Sequence, residues 1–433
     1  MLLIYTSSTW PRLSYIAQVL FKQVCKTSFT ITTNRNEFAT HTGPAINYSA
    51  ERFNHPVIQV QPHKLLFENS ITQQDVSCFT WNNVKAFFQT GGDVPFDVFA
   101  ASFYLISRYE EYLPHTKDEY GRYAHTNSLA FKEGFVHLPL VNLWMKELVS
   151  ILQSKFPSFT VHDARFTFIP TYDVDIAYSI KGKSTLRNLG GFYKDMFTGK
   201  LNKAVERANI HKGFAKDPFD TYGWLDNLHE KHTLKPVYFF LLAEKAKEYD
   251  KNLNPHSAEM QNLVRRHASE YTIGIHPSWQ SGDNEATLAK EINILATTTG
   301  KPVECSRQHY IRMALPGTYR LLLKHGIKHE YSMGYGSING FRASVASTFY
   351  WYDVESDTQT GLLIHPYCYM EANSYFEQKY TADQAAVELQ QYHDIVKSVN
   401  GQLITLFHNH FVTTQPQWLP WRNMYSVFLQ NNF

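Results

Sequence analysis

Four short stretches carry side chains able to do chemistry. "TYDVD" holds Asp173 and Asp175, "IGIHPSW" holds His276, "SRQHY" holds Arg307 and His309, and "LFHNHF" holds His408 and His410. In an extended chain, residues i and i+2 point the same way. Each pair would therefore face one cavity. Two carboxylates aimed into one space repel unless a positive charge lies between them, and a divalent metal or an arginine supplies it. Carboxylate and imidazole together suit hydrolysis of an amide or ester. A metal lowers the pKa of water from about 15.7 toward 7 and polarises the carbonyl. A carboxylate takes the proton, and an imidazole, with a reference pKa of about 6.5, returns one near neutrality. Simpler roles stand beside these. The Asp pair could cap a helix, His276 could bond a loop, and His309 could be a structural partner. Asn409 rather than His410 is the pointed residue if the chain turns there. With 20 histidines, several must be incidental, His365 in "LLIHPY" among the candidates. Arg307 reads as a charge partner, because an unpaired buried guanidinium is costly.

The elements that must position these residues follow from periodicity. "FTFIPTYDVD" begins as a strand and ends on the two aspartates. Helix candidates then alternate with strands: "DTYGWLDNLHEKH", "PVYFFLL", "MQNLVRRHAS", "YTIGIHPSW", "TLAKEINILATTTG", "VECSRQHY", "PGTYRLLLKHG", "KHEYSMGY", "TGLLIHPYCYM", "DQAAVELQQYHDIVKSV", "GQLITLFHNHF" and "NMYSVFLQ". Such alternation predicts βαβ units and a parallel sheet. About six or seven repeats suit a closed or nearly closed β/α barrel better than a doubly wound sheet, and no G-x-G-x-x-G follows a strand. In a barrel the site forms at the C-terminal ends of the strands, where all of these residues fall.

Residues 1–160 read as a separate small α/β domain, and 161–433 as the barrel. "LLIYTS", "SFTITTN" and "PAINYS" are strand candidates, "VIQV" and "KLLFE" look like a hairpin, and "RLSYIAQVLFKQV", "PFDVFAASFYLISRYEEYL" and "LPLVNLWMKELVSILQSKF" are helical. A polar, basic helical stretch at 181–213 includes "GKSTLRNLGG", which lacks the phosphate-loop spacing G-x-x-x-x-G-K-[S/T].

Composition sets outer bounds. The 433 residues are 43% hydrophobic, 15% aromatic and 18% charged, enough for a substantial core. A formal net charge of +2 carries no bias toward nucleic acid. Cys25, Cys78, Cys305 and Cys368 lack the spacing of a zinc knuckle or a disulfide framework. The N-terminus has no basic leader, Pro11, Arg12 and Ser14 interrupt its apolar part, and no run is long enough to span a membrane. A cytoplasmic enzyme is the simplest expectation.

The motifs resemble a known family. "TYDVD" resembles the first motif of the polysaccharide deacetylases (carbohydrate esterase family 4), Thr-Phe-Asp-Asp-Gly; "GIHPSW" resembles their histidine motif and "LFHNH" their last. The match spans 166–410 in the family's order. The chain looks closest to a divergent bacterial branch with an added N-terminal domain, at "DPFDTYGWLD", "PVYFF", "SRQHYIR" and "SMGYGSINGFRAS". The resemblance implies a distorted (β/α)7 barrel, a divalent metal such as zinc, and removal of N- or O-acetyl groups from a sugar or glycan. It implies Asp173 as general base, Asp175 and His276 as metal ligands, His408 as general acid, and Arg307 as the group that orients Asp173.

The family's pattern is broken at three places: the third motif reads "RQHY" where the family has an arginine and a proline, the second aspartate follows Val174 instead of coming directly after Asp173, and one histidine is replaced. The histidine expected four residues after His276 is Gln280. Catalytic zinc normally has three protein ligands, so a replacement is needed. His309 is the favoured one, with His256, His365 and His410 as others; Gln280 could instead accept from a metal-bound water. If the metal is lost, the alternative is a catalytically inactive carbohydrate-binding or scaffolding protein. A different hydrolysis on the same fold, such as deamination or cyclic amide opening, is the third reading. Tyr172, Trp279, Tyr310, Tyr335 and Phe341 are candidates for stacking on a sugar.

Overall fold

A computed structural model describes residues 1–161, 165–183, 201–247 and 249–433. The "GKSTLRNLGG" stretch, from Ser184 on, lies outside the described residues. The N-terminal part is built on a parallel sheet ordered β2-β1-β3-β4, with β1 Leu2–Tyr5, β2 Phe29–Thr32, β3 Ala45–Asn47 and β4 Ile58–Gln59. Helix Pro11–Ala17 follows β1 and packs against helix Val98–Ile106; Pro11 sits in the first turn, where no N–H is needed. The expected hairpin of "VIQV" with "KLLFE" does not form. Lys64–Phe67 is a 3-10 turn, entered after Pro62 and capped by His63 Nδ1, which accepts from the Leu65 N–H. The hairpin lies further on, between β5 (Phe79–Trp81) and β6 (Val84–Ala86). Its turn residues Asn82 and Asn83 both have left-handed φ, 47° and 66°, a conformation asparagine tolerates and two-residue hairpins require.

Helix Val98–Ile106 starts where Asp97 accepts from the Phe99 and Ala100 N–H groups. Every one of its residues is buried, so it forms the centre of this part of the core.

The second sheet has nine strands in the order β12-β13-β11-β10-β9-β8-β7-β15-β14. They are β7 Thr167–Val174, β8 Val237–Leu241, β9 Thr272–His276, β10 Cys305–Ser306, β11 His329–Glu330, β12 Phe349–Asp353, β13 Thr358–Ile364, β14 Tyr369–Met370 and β15 Gln402–His408. Every pairing is parallel except β12 with β13. β8, "VYFFL", is buried throughout, as a strand covered on both faces must be. Helices Tyr222–Lys231, Ala258–Glu270, Glu285–Thr299, Gly317–Lys324 and Ala382–Ser398 make the crossovers. Local chemistry sets their ends. Ser257 and Asn284 cap two N-termini, Thr381 and Gln384 form a capping box, and Gly300 at φ 68° closes a C-terminus.

Of the expected closed or nearly closed β/α barrel, the structure shows the α/β fold, with a mixed nine-stranded sheet. Among the described residues, no pairing joins the edge strands β12 and β14. The single strand expected across "TGLLIHPYCYM" is in fact two. It breaks after Ile364, just before His365-Pro366, and its halves go to opposite regions of the sheet, β13 beside β11 and β14 beside β15. Proline has no N–H for a ladder and biases the residue before it. The edge strand β12, unrecognised in the sequence, is covered by the N-terminal part. Tyr15 donates its hydroxyl to the Tyr350 carbonyl at 2.8 Å and its ring lies 4.7 Å from that of Tyr352.

A buried ion network also ties the two parts together. Arg342 grips Glu111 with two bonds, 2.8 and 2.6 Å, and Arg108 reaches the same carboxylate at 2.7 Å. Burial, the largest influence on Glu111, favours its neutral form, but the two guanidiniums outweigh it and hold the carboxyl down at about 2. Among the described residues, no helix is long and apolar enough to cross a membrane.

Candidate metal centre

The C-terminal ends of five adjacent strands, β15, β7, β8, β9 and β10, build the site. Asp173 is level with His408 on one neighbour and with Phe239 on the other. Phe239 in turn is level with Gly274, two residues before His276. A Cβ on Gly274 would come within 2.7 Å of both the Cys305 carbonyl oxygen and the Phe239 ring. Glycine therefore lets Phe239 lie flat beneath Arg307, whose guanidinium carbon is 4.6 Å from the ring centroid. Arg307 is fully buried; it donates from Nη1 to Asp173 Oδ1 at 2.9 Å and from Nε to the Tyr331 carbonyl at 3.0 Å. The arginine and the first aspartate of the two motifs meet here across 134 positions.

Asp175, just past the end of β7, is the focus. His276 Nε2 lies 3.2 Å from its Oδ1, and the Nε2 atoms of His309 and His408 each lie 3.6 Å from its Oδ2. His276 Nε2 is also 3.5 Å from Asp173 Oδ2. Despite the crowd, Asp175 Oδ1 is buried without a hydrogen bond, because the nearby imidazole is close but not aligned. The far side of each ring is fixed. His276 donates Nδ1–H to the Arg307 carbonyl at 2.6 Å. His309 donates Nδ1–H to Asp250 at 2.8 Å, and His408 donates Nδ1–H to Glu371 at 2.7 Å. Each ring is thereby turned so that Nε2 faces Asp175.

Asp175, His276 and His309 each offer one ligand atom, all within 4.8 Å of one another. The donor set fits a divalent ion: one carboxylate, two imidazoles with Nδ1 already committed, and a buried oxygen lacking a partner. Three protein ligands leave a position for water or substrate. Carboxylate and imidazole donors accept zinc and several other first-row ions. The charges agree. Burial, the largest influence, disfavours the Asp175 carboxylate, yet His309 and His408 hold it well below the usual carboxylate range. Burial likewise opposes charge on His309, but Asp175 and then Asp250 raise it to about 9. For His408, burial is outweighed by Glu371 and then Asp175, which raise it to about 10. A cation at the centre would take the place of the proton on His309 Nε2.

The family described as a family of unknown function, DUF7033, matches residues 2–157. No curated protein matches the chain. Among solved structures, a putative polysaccharide deacetylase from Mycobacterium smegmatis is similar at 14% identity over 63% of this chain and 86% of that one, with a TM-score of 0.39. Puue allantoinase is similar at 14% identity over 62% and 83%, with a TM-score of 0.37. A CE4 family pseudoenzyme from Bacillus anthracis is similar at 10% identity over 63% of each chain, with a TM-score of 0.32. At these identities and scores, the chemistry rests on the site's own geometry.

The other residues singled out in the sequence divide. Gln280 donates its amide N–H to Asp250 Oδ2 at 3.0 Å and to the Lys245 carbonyl at 3.1 Å, so it steadies the carboxylate that orients His309. His410 follows the end of β15, in a 3-10 turn, and its ring is 5.5 Å from that of His408. Burial and then His408 push His410 down to about 4. Asn409 turns inward, bonding the Ile176 and Phe219 carbonyls. His365 stacks on Tyr331 at 4.2 Å and does not line the site cavity; exposed His256 faces Glu244. Of the aromatic candidates, only Tyr310 lines it.

Sequence reasoning missed Asp250 and Glu371. Asp250 lies in a loop with no periodic signal. Glu371 follows directly after β14, and a strand boundary between Pro366 and Tyr369 would have marked it as another strand-end carboxylate. The cavity over the site holds about 610 Å³. A second cleft of about 780 Å³, lined by Leu138, Ile338 and Tyr392 among others, has a single carboxylate, Glu388, already bonded to Asn339 and Ser374. It offers no comparable chemistry.

Proposed function

We propose that the chain is a metal-dependent hydrolase that removes an acetyl group from an N- or O-acetylated sugar or glycan precursor. The observation that carries this reading is the convergence of Asp175, His276 and His309 around a buried carboxylate oxygen without a partner. Zinc is the ion we favour, and when bound it would polarise the acyl carbonyl and make water acidic enough to lose a proton near neutrality. Asp173 is the base. Arg307 occupies its Oδ1, which leaves Oδ2, 3.5 Å from His276 Nε2, toward the site. His408 is the acid: Glu371 holds its Nδ1–H, so the Nε2 proton points into the cavity and can pass to the departing amine or alkoxide. Arg307 acts through Asp173, fixing its rotamer and facing it with a positive charge.

The architecture is read in the same way. Residues 1–160 are a small α/β domain, supported by the family match over 2–157. Residues 161–433 are a distorted barrel of the deacetylase type, supported by eight mutually parallel strands, five of which build the site at their C-terminal ends.

The test is metal content after purification, for the native chain and for His309→Ala, alongside acetate release from a panel of N- and O-acetylated sugars. One divalent ion per chain, lost in His309→Ala, and acetate release abolished by Asp173→Asn support the proposal. A native chain that takes up no divalent ion overturns it. So does full metal retention in His309→Ala.

A further inference from the structure

Beside the metal centre, the cavity is walled by aromatic rings from both parts of the chain. Tyr120, from the N-terminal part, has its ring 5.1 Å from that of Tyr310 and 5.6 Å from that of Tyr249. Tyr249 and Tyr310 are 5.0 Å apart. All three are half-buried and line the same cavity as Asp173, Asp175 and His309. Tyr310 directly follows His309, and Tyr249 directly precedes Asp250, so two of the rings are attached to the residues that make and orient the metal site.

This wall is built rather than incidental. Tyr310 and Ile311 both adopt left-handed backbone, φ 58° and 56°, which is unfavourable for non-glycine residues and recurs at functional sites. Arg122, itself buried, holds that turn by donating from Nη1 to the Tyr310 carbonyl at 2.9 Å across 188 positions. Asp118 fixes Arg122 at 2.6 Å and accepts from the Tyr120 and Arg122 N–H groups. Gly336 makes room: a Cβ there would lie 2.0 Å from Arg122 Nη1. The loop carrying Tyr120 is therefore tied to the turn carrying Tyr310.

We infer that Tyr120, Tyr249 and Tyr310 form a binding shelf for a second sugar ring, next to the one whose acyl group meets the metal centre. The inference deepens the function proposed above and rests on it. Pyranose rings with equatorial hydroxyls present a face of C–H bonds, and that face packs on aromatic carbon while the rim stays hydrogen-bonded. Charge at the cavity mouth is mixed, Glu119 and Glu377 against Lys251 and Lys379, which suits a neutral glycan rather than a polyanion. The cavity volume, about 610 Å³, falls in the range of small-molecule sites and exceeds what one metal and one acetyl group need. The N-terminal part thus sets substrate length, with Tyr120 a specificity-determining residue.

The experiment compares binding of the β-1,4-linked N-acetylglucosamine tetrasaccharide with the monosaccharide by calorimetry. It uses the metal-loaded full chain in the Asp173→Asn background, so that turnover does not consume the probe. The tetrasaccharide should bind at least about tenfold more tightly than the monosaccharide. Adding Tyr120→Ala should remove that advantage, and Tyr120→Phe should keep it. Monosaccharide affinity and metal content should be unchanged in both. Tyr249→Ala provides a second variant should Tyr120→Ala misfold. Equal affinity for the two sugars, no binding of either, or an undiminished advantage in folded Tyr120→Ala overturns the shelf. Failure of the hydrolase proposal reads differently, as no acetate release by the native chain while the length-dependent binding persists.

Discussion

His309 gives its Nδ1–H to Asp250 at 2.8 Å, and the two residues are 59 positions apart. Asp250 also accepts from the Trp279 N–H at 2.9 Å and from Gln280 at 3.0 Å. A single buried carboxylate thus fixes the ring of one of the three candidate ligands, and Gln280 serves that carboxylate. Asp250→Ala should weaken metal binding by about 10–100-fold, the usual effect of losing an orienting partner. Competition against a chelating dye measures it. Unchanged affinity would mean that His309 is oriented without Asp250.

Glu371 stands behind His408 as Asp250 stands behind His309. It accepts from both the backbone N–H and Nδ1 of His408, at 2.6 and 2.7 Å. Glu371→Gln should lower kcat by roughly 10²-fold or more, the scale of general-acid catalysis, with metal content retained. Steady-state kinetics beside elemental analysis separates the two effects. Loss of metal with the activity would make Glu371 a structural support of the whole centre instead.

The ion network between the two parts should be essential to folding. Glu111, Arg108 and Arg342 are all buried, and Arg342 supplies the bidentate grip. Arg342→Met leaves Glu111 short of a partner and should destabilise the chain by about 3–5 kcal/mol. The double variant Glu111→Leu with Arg342→Met should recover part of that loss, since fewer buried charges are left unpaired. Urea unfolding monitored by tryptophan fluorescence tests both.

Acid should weaken the fold before most carboxylates titrate. Burial, the first cause in each case, pushes His229 and His267 down to about 4 from an ordinary value near 6.5. Both are therefore neutral in the folded chain over a range where the unfolded chain is protonated. The unfolded state binds more protons there, so stability rises with pH. Their contribution is complete above about pH 6.5 and is lost progressively toward pH 4, at about 1.4 kcal/mol per pH unit for each. Urea midpoints measured from pH 7 to 4 should fall, and His267→Gln should flatten part of the slope.

Much of the site's location was legible because strands announce themselves by alternation and then stop. Asp173, Asp175, His276 and His408 sit where apolar strands run out, and that is visible in "TFIPTYDVD", "TIGIH" and "QLITLFH". Arg307 and His309 are legible in the same way although β10 spans only Cys305–Ser306. What stayed hidden has no local signal. Asp250 is a loop residue, Arg122 reaches Tyr310 from the other part of the chain, and the break at His365-Pro366 divides an apparently continuous strand. Sheet closure was equally hidden, because alternation counts strands and says nothing about which edges pair.

The sequence by itself determined the strand-end chemistry and the parallel α/β character, both consequences of short-range periodicity and residue type. Only the tertiary structure decided that His309 joins Asp175 and His276, that Asp250 and Glu371 turn the imidazoles, and that Tyr120 enters the same cavity. Those relationships depend on strand order and register, which bring together side chains far apart along the chain, and distance along a chain carries no information about distance across a sheet.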